Sequence, residues 1–228
     1  MLTPAEWEAL RLSLVVASFA TLASLPFAIA MSWLLARTEF VGKGVVDAMV
    51  HAPLVLPPVV IGYLLLVLLG TRGPIGAWLL DSFGIRLIFT IQGAALAAAV
   101  MAFPLMVRGM RLSLDAVDRG LESAARTLGA TRRDVFFSVT LPLMLPGIVS
   151  GSVVGFARSL GEFGATITFV SNIEGQTRTL PLALYTATQT PNGDVTALRL
   201  VAISMTLALA ALIASDWLER RVRAWLGR

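Results

Sequence analysis

Hydrophobic and charged positions occur in long separate blocks along this chain rather than alternating residue by residue. Four stretches contain no Asp, Glu, Lys or Arg, and a fifth contains only Arg199 near its start: 12–36, 48–71, 87–107, 135–157 and 195–215. Each is long enough for the roughly 20 helical residues that cross a bilayer core, and a long arginine side chain near a helix end can reach the headgroups. The pattern predicts an all-α, polytopic membrane helix bundle.

We place five transmembrane spans at about 12–36, 48–71, 87–107, 139–161 and 195–217, within one permease domain covering residues 1–228. The uncharged piece 163–173 is too short to span alone. It either extends the fourth helix or forms a re-entrant or surface segment, so a count of six stays open.

Composition agrees with a lipid environment. The chain is 57% hydrophobic and 14% charged, against about 25% charged residues in a typical soluble domain. The formal net charge of +4 comes from basic residues beside apolar runs, which is typical of membrane proteins and not of a nucleic-acid-binding face. Without cysteine and with one histidine, the chain predicts no metal site.

The distribution of Lys and Arg predicts the orientation. The loop 37–47 holds two basic residues, the segment 108–134 holds six and the tail after 217 holds four, whereas five are spread thinly over the other side. The positive-inside rule then places these richer segments in the cytoplasm. With five spans, the N-terminus lies outside and the C-terminus lies in the cytoplasm.

The loop 112–138 is charged, yet apolar and small residues recur in it at helical spacing: Leu114, Val117, Leu121, Ala124, Ala125 and Leu128. Gly129 is a suitable helix stop, and a second short helix is predicted over 132–140. Such a hairpin could lie on the lipid surface. The Ala-Ala pair followed by glycine instead favours close approach of another protein.

The spacing Ser123-Ala124-Ala125, Gly129, Val139 and Leu141-Pro142 resembles the EAA loop of ABC importer permeases. This resemblance implies a type I ABC importer fold, with the loop as a coupling helix in a groove of a cytoplasmic ATPase subunit. One departure is visible, because Ser123 stands where the motif has Glu and Glu122 precedes it. The coupling residues it implies are Glu122, Ser123, Ala124, Ala125, Leu128, Gly129, Leu141 and Pro142.

Three further segments, 53–58, 158–166 and 177–181, resemble the molybdate and sulfate permeases, and 57–63 and 164–172 look closest to the molybdate members. The resemblance implies a homodimer in the bacterial inner membrane, two ATP-binding subunits and a periplasmic oxyanion-binding protein that docks on 72–86 and 172–194. The chain has no Walker sequence, so ATP and magnesium are expected on the partner ATPase. The chain itself is then expected to be neither an enzyme nor a cofactor-binding protein.

The residues expected in the translocation pathway or its gate are Pro57, Pro58, Val59, Tyr63, Arg158, Glu162 and Thr166. Two interpretations stay open for the charges, which are four residues apart. They either form a structural ion pair, or Arg158 attracts the oxyanion while Glu162 orients it. The prolines either only kink the second span or also bend it around the pathway.

Competing functions make different predictions. A sulfate or thiosulfate ABC permease would share nearly every feature above. A secondary anion transporter predicts an internal repeat, and none is visible. A membrane enzyme needs clustered acids, histidines or an activated nucleophile, which this chain lacks. Molybdate and tungstate, both tetrahedral dianions of nearly equal size, are not distinguished.

Overall fold

A computed structural model describes residues 2–225, apart from the side chains at 219, 222, 223 and 225. Within that part of the chain every regular element is a helix, so the all-α prediction is confirmed. The elements are α1 (Pro4–Arg37), α2 (Lys43–Val55), α3 (Pro58–Leu69), α4 (Pro74–Phe83), α5 (Ile91–Asp115), α6 (Arg119–Thr127), α7 (Arg132–Val135), a π-helical turn (Phe136–Thr140), α8 (Leu141–Leu160), α9 (Gly164–Val170), α10 (Leu180–Gln189) and α11 (Asp194–Trp225).

Helix α1 is one continuous element of 34 residues. Thr3 begins it with a capping box, in which the Thr3 hydroxyl accepts from the Glu6 N–H and the Glu6 carboxylate accepts from the Thr3 N–H. These bonds satisfy amide groups that a helix start leaves without intrahelical partners. At about 1.5 Å per residue, α1 is roughly 50 Å long.

Helix α5 lies at the centre of the bundle, between α1 and α8. Small residues allow this close packing, because a Cβ added to Gly109 of α5 would lie only 3.3 Å from the Cα of Gly151 in α8. One apolar cluster joins the first half of α5 to α1, α3 and α9, and a second joins its other half to α1 and α8. The buried alanines of α5 are Ala94, Ala95, Ala97, Ala98 and Ala102.

The second predicted span is two helices rather than one. Helices α2 and α3, of 13 and 12 residues, meet at Leu56–Pro57 with a bend of 115°. Two consecutive prolines cause the break, since proline lacks an N–H and also disfavours a helical residue before it. Among residues 2–225, four helical stretches are individually long and apolar enough to cross a membrane, and five if the bent pair is one span.

Two ends of the bundle can be distinguished. One is here named the hairpin face, after the turn between α6 and α7 that lies there. At this end Arg37, the last residue of α1, donates to the Leu114 carbonyl near the end of α5, and Arg37 and Thr140 both donate to the Glu122 carboxylate of α6. At the other, the N-terminal face, the N–H of Leu180 in α10 donates to the Ser13 hydroxyl of α1 at 2.6 Å. Chain direction therefore sends α1 from the N-terminal face to the hairpin face.

Arg199 does not serve only to reach the headgroups, as the sequence suggested. Its Nε lies 3.1 Å from Oε1 of Glu6, a carboxylate that is buried near the start of α1. An intramembrane charge beside an opposite charge needs no direct route to water. The pair therefore links α11 to α1 at the N-terminal face.

The short uncharged piece after α8 forms α9, which packs against α3 and α5. A Cβ added to Gly62 of α3 would lie 2.6 Å from the carbonyl oxygen of Ala165 in α9. Only glycine allows the two backbones to approach this closely. The piece is thus neither an extension of α8 nor a surface segment, but a buried helix beside the α2–α3 break.

Candidate functional site

The sequence of α6 determines where this helix starts and stops. The Asp118 carboxylate accepts from the Gly120 N–H at 2.7 Å and caps the first turn. At the other end Gly129 has a φ of +92°, and the Ala130 N–H donates to the Ala125 carbonyl at 3.1 Å. This left-handed glycine after the C-cap ends α6 sharply, which turns the chain back toward the membrane.

Helix α7 begins at Arg132, three residues after Gly129, with its own capping box. The Thr131 hydroxyl and N–H both donate to the Asp134 carboxylate, at 2.6 and 3.0 Å, which lowers the pKa of that carboxyl below its ordinary value. The π-helical turn from Phe136 to Thr140 then leads into α8 without a break. We name residues 119–135 the α6–α7 hairpin.

Glu122 anchors α6 to the bundle. It is the one buried residue of that helix, 9% exposed. Its Oε1 accepts from Arg37 Nε at 3.2 Å and from the Thr140 hydroxyl at 2.9 Å. Thr140 is the last residue of the π-helical turn and directly precedes α8. This one carboxylate therefore joins α6 both to α1 and to the start of α8.

Arg37 completes the anchor. Its Nη2 donates to the Leu114 carbonyl at 2.9 Å and to the Val117 carbonyl at 3.2 Å, where α5 ends. From the sequence, Arg37 is interpreted only as one of the basic residues of the loop 37–47. Its partners lie 77 to 85 residues away in the chain and therefore leave no local signal. The structure thus gives Glu122, the acid that stands one position before the motif's Glu, a specific buried partner that the sequence could not identify.

The outward side of α6 has no cover within the described chain. Leu128 is 89% exposed, Leu121 is 45% exposed, and Ser123, Ala124 and Gly129 are also exposed. Ala125 is half-buried. These residues present a small, partly apolar surface of the kind that another protein can approach closely.

Other residues of the predicted set lie elsewhere. Leu114 is buried in the last turn of α5 and Val117 is buried just after its C-cap, Ala116, so the apolar positions of the loop do not form one stripe as predicted. Leu141 and Pro142 begin α8, where Leu141 packs against the core cluster. The pattern failed because one period was read across two separate helices.

The two intramembrane charges form an ion pair. Glu162 Oε2 lies 2.7 Å from Arg158 Nη1, and Glu162 Oε1 accepts from the Ala165 N–H at 2.8 Å. Glu162 is almost fully buried, whereas the Arg158 side chain keeps 27% of its surface exposed. The carboxylate therefore joins the end of α8 to the start of α9, and Arg158 retains one accessible side.

The remaining pathway candidates lie either in the contact between α3 and α9 or on the exposed side of α3. Pro58 lies against Gly164, because a Cβ there would be 2.8 Å from the proline Cβ. Thr166 is buried, 1% exposed. Val59 and Tyr63 are more than half exposed on the free side of α3. The structure thus brings Pro58, Glu162 and α9 together and leaves Val59 and Tyr63 uncovered.

An apolar multi-helix bundle with a broken, proline-containing span defines a polytopic helical membrane protein. Residues 13–224 match the family described as "Binding-protein-dependent transport system inner membrane component", and the chain belongs to this family. Among relatives, it is 60% identical to the molybdenum transport system permease protein ModB of Escherichia coli K12, over all of both chains. It is 54% identical to the ModB of Haemophilus influenzae, over 98% of this chain and 97% of that one.

Solved structures agree on the fold. A bacterial alginate ABC transporter, solved with its oligosaccharide-bound periplasmic protein, matches 96% of this chain and 80% of its own with a TM-score of 0.77. Sequence identity is 16%, so the likeness concerns the helix arrangement alone. The prediction of a type I ABC importer permease fold is confirmed.

Proposed function

We propose that this chain is the membrane-spanning permease subunit of an ATP-driven importer for molybdate. The observation that carries the coupling role is the α6–α7 hairpin, whose outward side is exposed while Glu122 fixes its inner side to α1 and α8. The full-length likeness to two molybdenum permeases supports the substrate. Tungstate, a tetrahedral dianion of nearly equal size, should share the pathway.

The partner at the exposed side is a cytoplasmic ATPase subunit that binds ATP and magnesium. The hairpin residues proposed to contact it directly are Ser123, Ala124, Ala125, Leu128 and Gly129, and Glu122 holds them in place. ATP can shift the permease only through a difference in ATPase affinity between two arrangements. Movement of α6 would reach α1 through Arg37 and α8 through Thr140.

The transport pathway forms between two copies of the chain. Helix α2 has no buried residue, and α3 leaves Val59 and Tyr63 uncovered, so a second copy would cover this broken span. The accessible side of Arg158 provides positive charge along the route, while its pair with Glu162 limits how tightly an anion is held. Rigid-body motion of the two copies gives alternating access.

The hairpin face is cytoplasmic in this proposal. It carries Arg126, Arg132 and Arg133, which is the distribution that the positive-inside rule gives to cytoplasmic loops. The N-terminus then lies outside and the C-terminus lies in the cytoplasm. An outer oxyanion-binding protein would dock on 72–86 and 172–194 at the N-terminal face.

Uptake of labelled molybdate tests the proposal, in cells that lack their own high-affinity system and receive the permease with its ATPase and binding protein. The key variant is Gly129→Asp, which adds charge at a φ of +92° with no atom within 4 Å. Aspartate tolerates this backbone region better than most residues, so the hairpin should fold. Uptake should disappear while the amount of protein in the membrane stays unchanged.

Gly42→Asp is the matched control, because Gly42 also has a positive φ (+90°) and open space around it but lies just before α2, outside the hairpin. It should transport normally. Normal uptake by Gly129→Asp would show that α6 is only a lipid-surface helix. Equal competition by sulfate would move the substrate to sulfate, and uptake without ATP would favour a secondary anion transporter.

A further inference from the structure

An open cavity of about 680 Å³ lies on the side of the bundle near the hairpin face. Its walls come from α1, α5, α7 and the π-helical turn. The coupling role does not use it, since the exposed residues of α6 do not line it. Its two ends differ sharply in chemistry.

One end is apolar and faces the bilayer. Phe27 and Met31 of α1, Phe103 of α5 and Phe137 of the π-helical turn line it. Phe27 is 68% exposed and Phe137 is 63% exposed, so the described chain leaves these rings open to lipid. Phe27 precedes the end of α1 by ten residues, or roughly 15 Å, which places it inside the apolar run.

The other end is positively charged. Arg132 and Arg133 occupy the first turn of α7, are exposed, and line the same cavity. No ion pair joins either side chain to another residue in the part of the chain that the structure describes. Two neighbouring guanidinium groups favour a phosphate group, which a planar donor fork binds in bidentate fashion.

Aromatic contacts give the cavity a fixed wall. Trp33 and Phe136 stack edge to face with ring centroids 6.1 Å apart, and Phe136 and Phe137 do so at 5.1 Å. Such pairs stabilise one another beyond the area they bury. The wall therefore holds its shape without a protein partner, which is what a binding site for a small amphiphile requires.

We propose that this cavity binds one anionic glycerophospholipid of the leaflet at the hairpin face. Its phosphate lies on Arg132 and Arg133, and an acyl chain follows the apolar wall toward Phe27. Two other occupants fit less well. A free inorganic anion would leave the apolar end of the cavity unfilled, and a soluble ATPase subunit would not reach Phe27 within the apolar run of α1. The bound lipid would hold α7 at the membrane surface beside the coupling helix.

The expected preference follows from the two charges. Each arginine near an anionic lipid surface favours that lipid by roughly fivefold, so the pair gives about a thirtyfold preference over a zwitterionic lipid. In a bilayer with about one-tenth anionic lipid, the site should hold that lipid in roughly three-quarters of the molecules, against about one-tenth without preference.

Trp33 provides the readout because it lines the cavity. The complete transporter is placed in phosphatidylcholine vesicles containing about one-tenth phosphatidylglycerol, with bromine atoms on the acyl chains of either the anionic lipid or an equal share of the zwitterionic lipid. Bromine quenches nearby indole fluorescence. The Trp33→Phe variant gives the fluorescence of all the other tryptophans, which is subtracted to obtain the signal of Trp33. Brominated phosphatidylglycerol should quench Trp33 several-fold more strongly.

The double variant Arg132→Gln/Arg133→Gln should remove this difference. The matched control Arg72→Gln/Arg86→Gln deletes two exposed arginines of the segment between α3 and α5, and should keep it. Equal quenching by both lipids, no quenching by either, or a preference that survives the double variant would each overturn the proposal. None of these outcomes depends on molybdate uptake, so the transport function is tested separately.

Discussion

The buried carboxylate of Glu122 allows a quantitative test of how α6 is held against the bundle. The substitution Glu122→Gln keeps the size of the side chain and one acceptor oxygen but removes the charge opposite Arg37. Both side chains are nearly buried, with 7% and 12% of their surface exposed for Arg37 and Glu122. Water therefore screens the pair only weakly.

The size of the effect follows from the contacts that remain. Removing one partner of a buried ion pair costs about 3–5 kcal/mol. Arg37 keeps its two carbonyl acceptors at the end of α5, which favours the lower end, about 3 kcal/mol. Because no other residue of α6 is buried, this loss should fall on the attachment of α6, reducing the attached-to-detached ratio about 150-fold.

Hydrogen exchange of the peptide covering 119–127, measured on the purified permease without its ATPases, reports this attachment. We expect the amides of α6 to exchange about a hundredfold faster in Glu122→Gln, while those in the middle of α5 stay unchanged. In the complete transporter, ATP hydrolysis should continue while molybdate uptake falls. Detachment would break the mechanical link and leave the nucleotide sites intact.

Glu39→Gln is the matched control, since Glu39 pairs with Lys43 at 2.8 Å but is highly exposed. An exposed pair of this kind contributes little to stability, so exchange in α6 should not change. The reasoning is refuted if Glu122→Gln and Glu39→Gln exchange alike. In that case backbone and lipid contacts, rather than the buried carboxylate, would hold the helix.

Three further substitutions, two of them compared with a second variant, have predictable effects on the thermal midpoint of the purified protein. Gly62→Ala should lower it, by about 1–3 kcal/mol of stability, because the new Cβ would lie 2.6 Å from a carbonyl oxygen of α9, whereas Gly44→Ala meets no atom within 4 Å and should be tolerated. Ser13→Ala should cost about 1–3 kcal/mol, since its hydroxyl accepts the N–H that begins α10 at 2.6 Å; an unchanged midpoint would mean that water replaces it. Arg158→Met should destabilise more than Glu162→Gln, because only the former leaves a buried carboxylate without its cation, and the reverse order would contradict the ion-pair interpretation.

The sequence was sufficient for those features that depend on local composition. Uncharged runs located the membrane helices, consecutive prolines located the break near Leu56, and Gly129 marked the end of α6. Each of these signals acts through the backbone of its own segment. The Ala-Ala pair likewise indicated a surface for close approach, which the exposed side of α6 retains.

Contacts between distant residues were beyond the reach of the sequence. The Glu122–Arg37 pair joins positions 85 residues apart, and Glu6 finds Arg199 across nearly the whole chain. The close approach of Gly62 in α3 to Ala165 in α9 likewise joins distant parts of the chain. Hydrophobic periodicity measures which side of an element is buried but not what lies against it.

Helix α1 bears on both ends of the molecule at once. Near its start, Glu6 and Ser13 bind α11 and α10, and at its end Arg37 binds the Glu122 carboxylate of α6. For a rod of roughly 50 Å pivoting at one end, a tilt of about five degrees displaces the other end by some 4 Å. A nucleotide-driven step on one side of the bilayer and the docking of a solute carrier on the other would thus both tilt α1. Each event would then influence the other through this rigid helix, without any change in the remaining helices.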